Sequence, residues 1–251
     1  MLNSLEQTFA TQQIGFPILT PLIFLPTLVA IALVFLRDEK QIRLITLGGS
    51  FLTFLLSLLL PFLFERGKAD MQFVEQHSWI SPLGVSYHVG VDGINILLIV
   101  LTTFLLFLIF LFSWKGIGKY LKQYMICILV LETTIVGVFA ALDLFLFFLF
   151  WEIMLIPMYF LIKIWGGPNR DYASLKFVLY TLLGSVLMLV GFVVLYLNYH
   201  DYAVAQQLPQ RYSFDFLDLL RTPISVQKQN WVFLLLFFGF AFKVPMFPFH
   251  T

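Results

Sequence analysis

The chain has 251 residues, of which 60% are hydrophobic and 12% charged, with a formal net charge of +1. Soluble domains run at roughly 45–50% and 25%, so this composition reads as an all-α, polytopic integral membrane protein. The near-neutral balance excludes a basic face for nucleic acid and an acidic tail. One cysteine, Cys127, lies inside an apolar run and leaves no internal disulfide and no cysteine-built metal site.

Seven runs meet the length of about 20 predominantly apolar residues that a membrane helix needs: 17–36, 42–64, 92–113, 119–140, 143–164, 173–198 and 230–251. The first holds Pro17 and Pro21 in its opening turns and Pro26 at a kink. No basic residue precedes it, where a secretory signal carries its positive region, so this helix is expected to be retained. Arg37-Asp-Glu-Lys40 reads as a polar turn. The long connection 65–91 carries Trp79, Pro82 and Tyr87, suited to the membrane interface. A very short turn at Ala141–Asp143 makes the fourth and fifth helices antiparallel neighbours, and Gly166-Gly-Pro-Asn169 is a turn by composition. No glycine-rich phosphate loop occurs in the chain. In the connection 199–229, Ser213-Phe-Asp-Phe-Leu-Asp-Leu-Leu-Arg221 sets Phe214, Leu217 and Leu220 against Asp215, Asp218 and Arg221. That pattern reads as a short amphipathic surface helix that caps helix ends or, alternatively, meets a partner.

Basic residues counted over alternate connections set the orientation. The first set carries nine: Arg37, Lys40, Arg43, Lys115, Lys119, Lys122, Lys163, Arg170 and Lys176. The other set carries five, Arg66, Lys68, Arg211, Arg221 and Lys228, all in the two longest connections. The N-terminus is therefore expected on the periplasmic or lumenal side.

Three ionisable residues lie deep in apolar runs: Glu132 in the fourth, Glu152 in the fifth and Lys243 in the seventh. A charge at that depth costs on the order of 3 kcal/mol on the most lenient scale, so each points to function rather than to decoration. The plainer readings are an acid at a helix end reaching the headgroups and a lysine extending its head to the interface. Against them, both acids stand at similar distances from the turn that joins their helices, and at ~1.5 Å per residue all three lie near the midplane. Pro157, five residues after Glu152, removes the donor for the Ile153 carbonyl. Pro245 and Pro248 follow Lys243 and are expected to break the seventh helix, freeing the Ala241 and Val244 carbonyls. A half-helix end of negative dipole beside a lysine is how transport proteins hold cations at the midplane. His250, on the same run, is a proton relay or a polar residue satisfied by a neighbouring helix. With His77, His88 and His200 read into connections, no intramembrane histidine pair is available for a haem.

These residues carry a resemblance. Gly90-Val-Asp-Gly93, Ala-Leu-Asp-Leu-Phe-Leu-Phe-Phe at 141–148, Phe-Trp-Glu152-Ile-Met-Leu-Ile-Pro-Met-Tyr and Phe-Lys243-Val-Pro-Met-Phe-Pro-Phe-His-Thr251 resemble the antiporter-like proton-pumping subunits of NADH:quinone oxidoreductase, complex I, in their chain 4 or M-type form. The likeness runs from about Gly90 to the end. It implies that 1–251 is a single membrane domain, the N-terminal half of a longer antiporter-like subunit. Glu152 and Lys243 would then be the pair at the head of a proton channel driven by quinone reduction elsewhere. The chain itself would carry no redox cofactor; quinone, flavin and iron–sulfur clusters would belong to partner subunits. Its partners would be the other membrane subunits, neighbouring antiporter-like ones included. The membrane would be a bacterial inner membrane, with thylakoid or mitochondrial inner membrane as alternatives. Glu132 matches no family motif and stands as a proton-pathway candidate on depth alone. Two other readings remain open at this stage, a subunit of a multisubunit monovalent-cation/proton antiporter and a non-conducting structural subunit.

Overall fold

A computed structural model describes residues 15–68 and 70–249. In chain order they form α1 (Leu19–Phe35), α2 (Glu39–Leu63), β1 (Gln72–Ile80), β2 (Val85–Val91), α3 (Gly93–Gly116), α4 (Leu121–Ala140), α5 (Leu144–Ile153), α6 (Leu155–Trp165), α7 (Arg170–Ala205), α8 (Phe216–Arg221) and α9 (Val226–Lys243). Among the described residues, five stretches are long and apolar enough to cross a membrane: α2, α3, α4, α5 with α6, and α7. The 17-residue α1 falls just short of that measure, and α9 is not among the five. The described residues fall into two compact units, those up to 76 with 88–141 and those of 77–87 with 142 onward.

In the first unit α1 packs on α2 and α4, α2 on α3, and α3 on α4. The usual amphipathic pattern is inverted. Thr46, Ser50, Thr53 and Ser57 form a buried stripe along α2 at i, i+4, i+7 and i+11, while Phe51, Leu52, Leu55 and Phe62 face outward. Outside is lipid, so the apolar residues need no burial and the hydroxyls take the inside, where all but that of Thr46 bond to backbone or to another hydroxyl. Thr53 donates to the Gly49 carbonyl at 3.0 Å, Ser57 Oγ lies 2.7 Å from Thr103 Oγ1, and Thr27 Oγ1 lies 2.7 Å from Thr133 Oγ1. Helix ends are closed by charge. Glu75 accepts from the backbone N–H of Leu19 at 2.7 Å and of Thr20 at 3.2 Å, placing a carboxylate on the positive end of α1. Arg43 donates to the carbonyls of Ser113, Trp114 and Ile117 at the opposite pole of α3.

The connection 65–91 holds a two-stranded sheet of β1 and β2, the one hairpin among the described residues. Its turn closes at Gly84, whose φ of +65° is left-handed; a Cβ there would meet the Tyr212 carbonyl oxygen at 2.0 Å. Val85, Tyr87, Val89 and Val91 alternate along β2, the period of a strand. His77 and His88 thus belong to strands and His200 to α7, not to irregular connections.

Within the second unit three connections meet at one end. Ser86 N–H donates to Asp143 Oδ2 at 2.9 Å, Phe214 N–H to the Gly84 carbonyl at 3.3 Å, Leu144 N–H to the Phe214 carbonyl at 2.9 Å and Phe216 N–H to the Leu142 carbonyl at 2.8 Å. All three had been counted on the outer side by charge, and their mutual bonding requires that they share a side. Asp143 anchors the cluster: it is fully buried and also caps α5 through the N–H groups of Phe145 and Leu146 at 2.9 and 3.1 Å. The surface helix exists but is shorter than its sequence pattern. Extended backbone continues to Asp215, and only residues 216–221 coil, so Leu219 rather than Leu220 turns inward, against Tyr199 and Ala203 of α7. Phe214 instead stacks on Tyr196 at 4.2 Å. Along α7 and α9 small residues permit close approach: a Cβ on Gly239 would lie 2.7 Å from Met188 Cβ, and one on Gly184 would lie 2.6 Å from Phe242 Cβ.

Burial, chiefly, raises the Asp143 carboxyl above its ordinary range; the Ser86, Leu146 and Phe145 N–H groups oppose this and Asp215 reinforces it. A raised folded value means the native state binds this proton more tightly than the unfolded chain does. Its contribution is fully present below the unfolded value and is lost as pH rises through the folded one. Replacing Asp143 by Ala should cost about 1–2 kcal/mol through the lost cap and the Ser86 contact. Replacing it by Asn should flatten the fall in stability between the ordinary aspartate range and neutrality. Thermal melting of the detergent-solubilised protein across that range checks both; an unchanged slope in Asp143→Asn would contradict the assignment.

Candidate functional site

The fifth apolar run does not form one helix. It is interrupted at Met154, between Glu152 and Pro157, which divides it into α5 and α6. Pro157 lies in the first turn of α6, where it is tolerated, but it cannot donate to the Ile153 carbonyl, and the break falls on that missing bond. The seventh run breaks as its prolines require, though not as fully as the sequence suggests. α9 stops at Lys243 instead of reaching 251, and Met246 N–H donates to the Ala241 carbonyl at 3.0 Å, so that carbonyl is not left free. Lys243 is the last helical residue, at the negative pole of α9.

The two breaks meet. Lys243 Nζ donates to the Trp151 carbonyl at 2.7 Å, in the last turn of α5, and stands 3.9 Å from the centroid of the Trp151 ring. Glu152 is the next residue. The two form no ion pair: the ammonium is bonded one residue earlier, and Glu152 Oε1 is buried with no hydrogen-bond partner among the described residues. The sequence therefore brings Glu152 and Lys243 to one place but not into contact, and Trp151, which supplies that contact, was not among the residues it singled out. A tryptophan beside an intramembrane acid on a helix about to break was the available signal.

Glu132 is in the first unit, on α4, with no solvent exposure and with neither carboxylate oxygen bonded among the described residues. Thr46 Oγ1 of α2 is likewise buried without a partner. Pro26 of the facing α1 cannot donate to the Leu22 carbonyl. His250 lies outside the described residues.

Long apolar helices, hydroxyls turned inward and large apolar side chains turned outward define an integral membrane protein. Residues 141–251 match the family described as NADH:quinone oxidoreductase/Mrp antiporter, TM. NADH-quinone oxidoreductase subunit M of Rickettsia typhi is 38% identical over 247 residues, which is 94% of this chain and 47% of that protein. Subunit M of Rhodobacter capsulatus is 45% identical over 218 residues, covering 85% of this chain and 41% of the relative. Among solved structures, respiratory complex I from Thermus thermophilus with bound NADH contains a chain with a TM-score of 0.75 and 28% identity, over 92% of this chain and 45% of that one. The chain thus spans about half the length of the relatives it matches.

A buried carboxyl group with no partner weakens a fold by its desolvation, and more so when ionised. Glu132→Gln and Glu152→Gln should therefore leave the melting temperature of the solubilised protein unchanged or raise it by a few degrees. A fall of more than about 1 kcal/mol in either variant would mean that the carboxylate is bonded after all.

Proposed function

We propose that this chain is a proton-translocating membrane part of an NADH- or ferredoxin-driven quinone oxidoreductase, moving protons while quinone is reduced in other subunits. The observation that carries the reading is the meeting of two helix breaks, one beside Glu152 and one at Lys243, inside an apolar unit. Intramembrane charge at broken helices is the arrangement by which transport proteins hold ions. The family and its subunit M relatives support the same conclusion. In this reading the ammonium of Lys243 is held by the Trp151 carbonyl, by the α9 dipole and by the Glu152 charge. Withdrawing one of these negative groups favours release of the proton. Glu132, with no solvent exposure and no partner for its carboxyl group in the first unit, is a second place for a proton to reside, and His250 a relay beyond the lysine. The chain carries no redox centre of its own; flavin, iron–sulfur clusters and quinone are held by partner subunits. Its surroundings are a bacterial inner membrane and neighbouring antiporter-like subunits.

Glu152→Gln in the assembled complex should cut protons translocated per quinone reduced about tenfold or more while leaving assembly intact, and Lys243→Ala should do the same. The double variant should be little worse than either, because residues that act as a unit lose their function once. Glu152→Asp, which keeps the charge, should retain part of the activity. Normal pumping by intact Glu152→Gln complexes in membrane vesicles would leave only the structural-subunit reading.

The nine-to-five loop count supports an N-terminus on the periplasmic or lumenal side. A cysteine introduced at Asn3 in a Cys127→Ser background should react with an impermeant maleimide in sealed right-side-out vesicles. Protection there, with reaction in inverted vesicles, would reverse the orientation.

A further inference from the structure

We propose that Trp151 is the positioning residue for Lys243, a seat that holds the ammonium one residue short of Glu152 and gives the lysine two alternative addresses on α5. The inference rests on the proton-pathway reading above and specifies how that pair is set.

Four observations converge on it. The ammonium is engaged twice by the same residue, through the backbone carbonyl at 2.7 Å and through the indole face at 3.9 Å. Both distances are those of a close hydrogen bond and a close cation–ring contact. The indole is held in place by rings on both sides: Phe147, one turn earlier on α5, stacks on it at 5.4 Å and 26°, and Phe240 meets it edge-on at 5.5 Å and 89°. Phe240 is three residues before Lys243 and shares its face of α9, so the helix that delivers the lysine also clamps the ring that receives it.

The indole N–H supplies the third argument. Trp151 Nε1 is buried and has no acceptor among the described residues. A buried indole normally finds a partner for this group, and leaving it unmade costs stability. Phenylalanine would fill the position without that cost, so what tryptophan contributes here is its π face, the strongest cation-binding surface among the side chains. Finally, the neighbouring Glu152 Oε1 is an unused acceptor. A lysine seated on Trp151 leaves that oxygen open, and a lysine moved along α5 by one residue would fill it.

Packing and cation binding are separable by fluorinating the ring, which drains electron density from its face and hardly alters its shape. Mono-, di- and trifluorotryptophan are introduced at position 151 alone, in the full complex, and protons translocated per quinone reduced are measured in membrane vesicles beside Trp151→Phe and Trp151→Leu. The expected result is a graded loss along the fluorine series, reaching about tenfold with three fluorines, with Phe intermediate and Leu at or below the trifluoro level. A flat series, in complexes that Lys243→Met and Glu152→Gln inactivate, would overturn the seat and leave the proton pathway standing. Full pumping in Lys243→Met would overturn both.

Discussion

A lysine ammonium in an apolar unit has to be met by negative charge or by carbonyl oxygens, and in this chain that need is supplied by breaking helices. An unbroken helix spends its carbonyls on its own N–H groups. Prolines at 157, 245 and 248 withdraw donors at two sites, and both interruptions come to the same place, one offering Lys243 at its end and the other offering the Trp151 carbonyl. Moving the prolines of either site by a turn would separate the lysine from its acceptor. The site is therefore fixed first by where the chain cannot donate, and only then by which side chains are charged.

The outer end of the second unit is built to keep that register. Asp143 caps α5 nine residues before Glu152 and ties its start to the hairpin turn through Ser86, while the Leu142–Leu144 backbone pairs with Phe214 and Phe216. A rotation of α5 about its axis would break these bonds together. Because α7 carries both Tyr196, stacked on Phe214, and Gly184, which lets α9 come close, the same helix sets the height of α5 at one end and of α9 at the other. Contacts far from the charges thus decide how near they lie.

Much of this was legible in the sequence, for reasons that differ by residue. Glu152 and Lys243 stand out because charge in an apolar run is expensive, and the prolines mark the breaks because a missing N–H cannot be compensated locally. The connection at 141–143 was visible as a turn, but Asp143 as an anchor was not, since its partner Ser86 lies 57 positions away. The hairpin was read as an interfacial connection although Val85, Tyr87, Val89 and Val91 alternate; β1 lacks the matching alternation, its first four residues being buried and the next four exposed. The amphipathic face of 213–221 was drawn with helical geometry through residues that are extended. That placed Leu220 inward where Leu219 belongs.

The acid and the lysine are the hardest pair to read from sequence, because the quantity that matters is a distance. Depth placed both near the midplane, and the cheapest pairing on paper was an ion pair. Instead the ammonium lies on a carbonyl and a ring, both neutral, with the carboxylate adjacent but unbonded. A direct salt bridge at this depth would be strong in the low local dielectric and would hold the proton and the lysine alike. Neutral acceptors bind the ammonium without binding it to the acid, so the carboxylate's charge can act on the lysine and still change independently of it. In the proposed proton-translocating reading, a seat that leaves the acid unbonded serves better than a closed pair.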